Sequence, residues 1–288
     1  MNALAKSIFI VAFPTLALVA LIDCIWHVWT SGITLLHVSH FLTAVSIVFF
    51  FSRIFIKPIA RTDSALIVYT FCIFLGCLLS FLVGNLQEEV EFRMTCAIFN
   101  MLLTISWVIY LVWYSFYQGR NAAQNIVLSI GNTLPLLSFE NAGKHVITTE
   151  CFAGTPTILI FYRGNWCPFC MAQIKEMVEH HEELTDRNIN TVFISSQPHS
   201  FSENLDKKYP LDFQFLVDVE GKVAKKIDIF AENGLPFGFQ IFGFKSDTIL
   251  PTIIITDSNE KIVYTNQTDN YRMRPEPTEL LKVIDANV

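Results

Sequence analysis

Charge is scarce in this 288-residue chain: Asp, Glu, Lys and Arg make up only 16% of it, and the formal net charge is −6 with no run of basic residues. That poverty excludes nucleic acid as a partner, because phosphate binding requires clustered Lys and Arg. Cysteines number seven, an odd count without regular spacing, and Cys24, Cys72, Cys77 and Cys96 lie inside apolar segments. A secreted scaffold stapled by disulfides is thereby excluded. No cleavable leader is expected either, since the first apolar stretch is long enough to span a membrane and lacks a small-residue cleavage site.

Apolar residues are what the chain has in abundance, at 52% with a mean hydropathy of +0.43, more than a wholly soluble protein of this size carries. The charge is unevenly placed. Residues 1–120 hold six Lys and Arg against five Asp and Glu, and the remainder holds fourteen against twenty-one. The sequence therefore divides into an apolar first part and a charged second part.

A membrane-crossing helix needs about 20 mostly apolar residues, because hydrocarbon offers the backbone no hydrogen-bond partners. Four segments qualify: Ser7 to Trp29, Ile33 to Phe55, Ser64 to Gly84 and Met94 to Phe116. They predict an all-α transmembrane bundle over residues 1–118, set in a lipid bilayer. Trp26, Trp29, Trp113, Tyr114 and Tyr117 fall near the ends, where amphipathic rings favour the interface. Lys6, Arg53, Lys57, Arg61 and Arg120 mark one side, whereas the acidic connection from Gln87 on the other offers only Arg93. That bias predicts cytoplasmic termini, with the charged second part at the cytoplasmic face of an inner or plasma membrane.

Four polar residues in the first two helices stand out. Asp23 and His27 are four apart, His37 and His40 three apart, and the short turn at 30–32 brings them to similar depth. Ionisable groups in a membrane are costly, which makes the four a weak candidate metal, quinone or proton site; interfacial histidines beside one satisfied aspartate are the commoner explanation. Cys72 and Cys77, five apart, do not share a helical face and are read as small buried hydrophobes rather than an electron relay.

Residues 119–129 read as a linker, with Gly119 in a polar stretch. From residue 130 to 288 short β-rich runs alternate with amphipathic segments, the pattern of an α/β domain. The expected order is strand 157–162, helix 168–187, strand 191–195, helix 202–209, strand 213–217, helix 222–229, then strands 252–256 and 261–266 and a last helix from about Glu276. That is the thioredoxin order. Residues 231–249, rich in Phe and Gly, read as an insertion near the cysteine pair.

The chemistry centres on Trp166-Cys167-Pro168-Phe169-Cys170. Two cysteines separated by two residues at a helix start can close a small disulfide ring. The unpaired N–H groups there favour a thiolate on the first, and Pro168 suits the first turn because its missing N–H would have been unpaired anyway. Arg163 would add a fixed positive charge, and Trp166 would shield one side of the sulfur. Cys167 is thus expected to be the nucleophile and Cys170 the resolving thiol.

The run IGNTLPLLSFENAGKHVITTECFAGTPTILIFYRGNWCPFC, residues 130–170, resembles the start of an alkyl hydroperoxide reductase / thiol-specific antioxidant (AhpC/TSA) domain, a peroxiredoxin-like redoxin of the thioredoxin superfamily. Residues 215–229 and 271–277 resemble its second half. The resemblance implies an oxidoreductase with a redox-active disulfide and no other cofactor, fed by a thiol reductant and acting on a disulfide or a peroxide. It implies a cis proline at Pro251 facing the cysteine pair, with Thr252 beside it in substrate binding. It also implies that Arg272 and Arg274 supply an activating guanidinium for substrate, although a solvated Arg pair is the commoner explanation. The chain departs from the family motif of Pro, then Thr or Ser, then the peroxidatic Cys: those slots hold Arg163, Cys167 and Cys170. The departure favours a thiol-disulfide oxidoreductase reducing a partner disulfide. A peroxidase acting on hydroperoxides, lipid hydroperoxides among them, is the alternative, and a non-catalytic redox sensor or docking protein the second.

Overall fold

The computed structural model describes residues 2–84, 90–116 and 125–287. Residues 87–89 of the acidic connection and most of the linker lie outside them, while residues 90–93 of that connection open a helix. The chain forms two compact units, one of residues 8–58 and 62–116, the other of residues 1–7, 59–61 and 117–288.

The first unit contains α1 (Asn2–Ser31, from Ile8 onward), α2 (Leu35–Ile56), α3 (Ile67–Gly84) and α4 (Val90–Ile109), the last running into a π turn at Tyr110–Tyr114. Among the described residues three helices are long and apolar enough to cross a membrane, at Ala3–Ser31, Leu35–Ile56 and Phe92–Tyr114. Where four full spans are expected, the third helix, apolar over Ile67–Val83, is shorter than the other three. Its start is set late by Leu66, whose positive φ of 47° ends the irregular connection before it.

Small residues let α2 and α3 approach closely. A Cβ on Gly76 would lie 2.3 Å from Thr43 Oγ1 and 2.7 Å from the Ser39 carbonyl oxygen. Gly76→Ala is therefore expected to destabilise the helical unit by about 1–3 kcal/mol through overpacking, read as a lower Tm of the detergent-solubilised chain. An aromatic cluster completes the packing: Trp107 and Tyr110 are fully buried, Phe50 meets both edge-on, and Trp107 Nε1 donates to Thr70 Oγ1 at 2.9 Å.

The second unit is an α/β domain. Its elements are β1 (Ser138–Glu140), β2 (Val146–Thr148), β3 (Thr157–Phe161), α5 (Pro168–Glu179), α6 (His181–Asp186), β4 (Asn190–Ser195), α7 (His199–Lys208), β5 (Phe213–Val217), α8 (Lys222–Lys226), β6 (Phe230–Ala231), β7 (Thr248–Ile249), β8 (Thr252–Thr256), β9 (Ile262–Asn266) and α9 (Pro277–Asn287). Seven strands form one sheet in the order β2-β1-β5-β4-β3-β8-β9. β3, β4 and β5 are parallel; β8 joins β3 antiparallel with Phe161 opposite Thr252. The centre is buried on both faces, as continuous apolar runs such as Thr157–Phe161 require. This is the thioredoxin-like fold that the strand and helix order led one to expect.

Two departures have local causes. The helix expected over 168–187 breaks at His180, whose Nδ1 bonds the Glu176 carbonyl at 2.9 Å and whose backbone leaves helical geometry, giving α5 and α6. The insertion at 231–249 is closed at its base by β6 and β7, with Phe230 opposite Ile249, so it is a pinned loop.

Candidate active site

The sequence at the end of β3 dictates a tight loop. Gly164 takes a φ of 143°, a region L side chains rarely adopt, and its missing Cβ leaves room for the Trp166 ring, which a Cβ would approach to 2.8 Å. Cys167 then caps α5 with extended backbone, Pro168 fills the first turn, and the amides of Cys170 and Met171 donate to the Cys167 carbonyl at 3.0 and 3.1 Å. The two sulfurs are thereby brought together at the helix head, where a hydrogen bond joins them.

Both sulfurs are buried, Cys167 to 2% exposure and Cys170 to 0%. Their electrostatics run opposite to the expectation from the helix terminus. Burial pushes the Cys167 thiol up, and its hydrogen bond to Cys170 and the charge on that sulfur push it further. Burial also opposes ionisation of Cys170, but the Cys167 S–H, the Arg274 charge and hydrogen bond, and the Arg163 backbone N–H outweigh it and hold that thiol well below its ordinary value. Three donors converge on one sulfur, and it is the second of the pair.

Arg274 is the long-range member of this set. Its Nη2 donates to Cys170 Sγ at 3.4 Å and its Nη1 to Gln173 Oε1 at 2.6 Å, so one guanidinium bridges two positions of α5. Arg272 is fully buried and Arg274 is 7% exposed, which overturns the solvated-pair explanation. Arg163 points its Nη2 at the Gly234 carbonyl, 2.6 Å away, with its guanidinium 4.5 Å over the Trp166 ring. Trp166 meets Phe239 edge-on at 6.2 Å, so the insertion does pack beside the cysteine loop.

Pro251 and Thr252 lie at the start of β8, buried, with Thr252 Oγ1 donating to the Leu250 carbonyl at 3.0 Å. The expected cis proline is corrected: no cis peptide occurs among the described residues. A strand paired tightly to β3, with Thr252 opposite Phe161, accommodates the trans form.

Gln197, which sequence reasoning missed, holds the loop. Its Oε1 accepts from the Asn165 backbone N–H at 2.9 Å, and its Nε2 donates to Tyr162 Oη and Ser202 Oγ at 2.9 and 3.2 Å. Tyr162 is fully buried, and burial raises its phenol above the ordinary value. Gln197→Ala would strand these buried partners, and is expected to cost about 1–3 kcal/mol, measured as a lowered unfolding midpoint. Gln173 was likewise missed. Neither residue type signals anything in isolation.

In the helical unit, Asp23, His27 and His40 do come together: Asp23 Oδ1 lies 3.6 Å from His27 Nδ1 and its Oδ2 4.0 Å from His40 Nε2. Asn100 joins them through His40 Nδ1 at 2.9 Å. His37 has a different role, its ring and amide forming a capping box with Thr34 at the start of α2. Phe92 packs against both His27 and His37. Among the described residues no three His, Cys, Asp or Glu side chains are arranged to hold a metal ion.

The sheet order and the paired sulfurs at the head of α5 define a redox domain of thioredoxin-like fold. Residues 130–265 match the AhpC/TSA family model, and the chain carries an AhpC/TSA domain there, that of an oxidoreductase. Among curated proteins it is similar to peroxiredoxin Bcp of Bacillus subtilis (strain 168), 22% identical over 125 residues, covering 43% of this chain and 79% of that protein. Solved structures similar to it include peroxidoxin BcpB from Mycobacterium tuberculosis, at 16% identity and a TM-score of 0.47 over 56% of this chain and 99% of that one. AhpC of Enterococcus faecalis is another, at 16% identity and a TM-score of 0.44 over 55% of this chain and 90% of that one.

Proposed function

We propose that the chain is a membrane-held thiol peroxidase in which Cys170 is the attacking thiolate and Cys167 the resolving thiol. The carrying observation is the convergence of Arg274 Nη2, the Arg163 N–H and the Cys167 S–H on the Cys170 sulfur. The Cys170 thiolate attacks the distal oxygen of a hydroperoxide and the O–O bond breaks; that oxygen stays on sulfur as a sulfenic acid, and the remainder leaves as alkoxide or hydroxide and takes a proton from solvent to become an alcohol or water. Cys167 then attacks the sulfenic sulfur, expelling water and closing the Cys167–Cys170 disulfide. An external thiol returns both to the reduced state. No cofactor beyond this disulfide takes part.

This reverses the roles and the order of preference that the sequence suggested. The helix-terminus argument favours the first cysteine, but both sulfurs are buried and the first donates its hydrogen bond to the second. Cys167 occupies the slot of the family's Thr or Ser, and its S–H takes the place of that hydroxyl. Burial of both sulfurs favours a small oxidant over a folded disulfide partner. The spans at Ala3–Ser31, Leu35–Ile56 and Phe92–Tyr114 support a bilayer anchor, and the Lys/Arg bias supports work at the cytoplasmic face.

One observation favours the thiol-disulfide oxidoreductase instead: the two sulfurs are already within hydrogen-bond reach at a helix head. Stopped-flow oxidation of the reduced full chain by hydroperoxide separates the two. The peroxidase gives oxidation far faster than a free thiol, ending in a Cys167–Cys170 disulfide seen by peptide mapping. Oxidation at a free thiol's rate, with ready reduction of a protein disulfide, would leave the second reading standing and remove the first.

A further inference from the structure

The segment that carries Arg274 has no regular structure between residues 273 and 276, and Pro275 and Pro277 remove two backbone donors from it. Nothing in a ladder fixes its position, so side chains must. Arg61, 213 positions earlier, folds in the same compact unit as residues 117–288 and donates through Nε to the Arg274 carbonyl at 3.1 Å and through Nη2 to the Pro275 carbonyl at 3.3 Å. The same guanidinium forms a two-pronged pair with Glu176, Nη1 to Oε1 at 3.1 Å and Nη2 to Oε2, and lies 3.7 Å from Glu276. Glu176 is on α5, one turn beyond Gln173, which Arg274 itself holds. Two guanidiniums thus tie the same two pieces of chain together, one at the thiol end and one a turn further along.

We infer that Arg61 is a positioning residue for the thiol pair: it holds the Arg274 and Pro275 carbonyls against α5 and so keeps the Arg274 side chain on Cys170. Lys/Arg bias alone would count Arg61 as a surface charge, whereas only its planar fork can serve two carbonyls and a carboxylate at once. Its partners are the Arg274 and Pro275 carbonyls and the Glu176 and Glu276 carboxylates, and its effect on the sulfur passes through Arg274. The inference rests on the reading of Cys170 as the Arg274-held thiolate.

The test is the pH profile of Cys170 alkylation by iodoacetamide in the reduced, detergent-solubilised full chain, resolved by peptide mass mapping, for Arg61→Ala, Arg61→Lys and Arg274→Gln. Arg61→Ala is expected to slow alkylation at neutral pH roughly tenfold and to move the profile to higher pH, because less of the sulfur is thiolate. Arg61→Lys is expected to do the same, since it keeps the charge and loses the fork. A wild-type profile in Arg61→Lys, or in Arg61→Ala while Arg274→Gln is shifted, overturns the positioning role and leaves the thiolate reading intact. An unshifted profile in Arg274→Gln overturns both.

Discussion

Cys170→Ser is expected to lower the rate of peroxide reduction by roughly three orders of magnitude or more, the scale of loss when a nucleophile acting in concert with its partners is removed. Serine matches the size of the thiol but stays protonated, so the donors gathered on this sulfur have no anion to hold. Cys167 remains, buried and with its thiol pushed up by that burial and by the hydrogen bond it gives away. Stopped-flow kinetics with hydroperoxide on wild type and variant would measure the difference. Retained fast oxidation in Cys170→Ser would restore Cys167 as the nucleophile and return the chemistry to what the helix terminus alone suggests.

The contrast shows where sequence reasoning stops. The apolar run Thr157–Phe161, the Cys-x-x-Cys spacing and Pro168 at the first turn are local signals, and each is found where periodicity and helix-end chemistry place it. Which sulfur ionises is not local. It depends on Arg274, 104 positions after Cys170, and on burial that only the assembled sheet produces. Gln197 and Gln173 are unremarkable as letters and matter only as the amides that meet Asn165 and Arg274. The proline is a case of the opposite kind: family resemblance supplied a cis bond at Pro251, and the pairing of Thr252 with Phe161 accommodates a trans one. In the first unit hydropathy located all four helices, but it extended the third beyond its apolar stretch and gave no hint that His37 caps α2 rather than joining Asp23 and His40.

Cys167→Ser separates the two halves of the cycle. A serine hydroxyl at 167 can donate to the Cys170 sulfur as the S–H does, so the first oxidation is expected at about the wild-type rate. The second step has no thiol to carry it, because closing the disulfide needs a sulfur at 167. Among the remaining cysteines Cys151 is exposed, and Cys24, Cys72, Cys77 and Cys96 lie in the helical unit. Steady-state turnover with an external thiol is therefore expected to fall roughly a hundredfold or more as the sulfenic acid accumulates and over-oxidises. Trapping with dimedone and mass mapping would place the adduct on Cys170. An unmodified Cys170, or undiminished turnover, would mean that Cys167 does not resolve the oxidised sulfur.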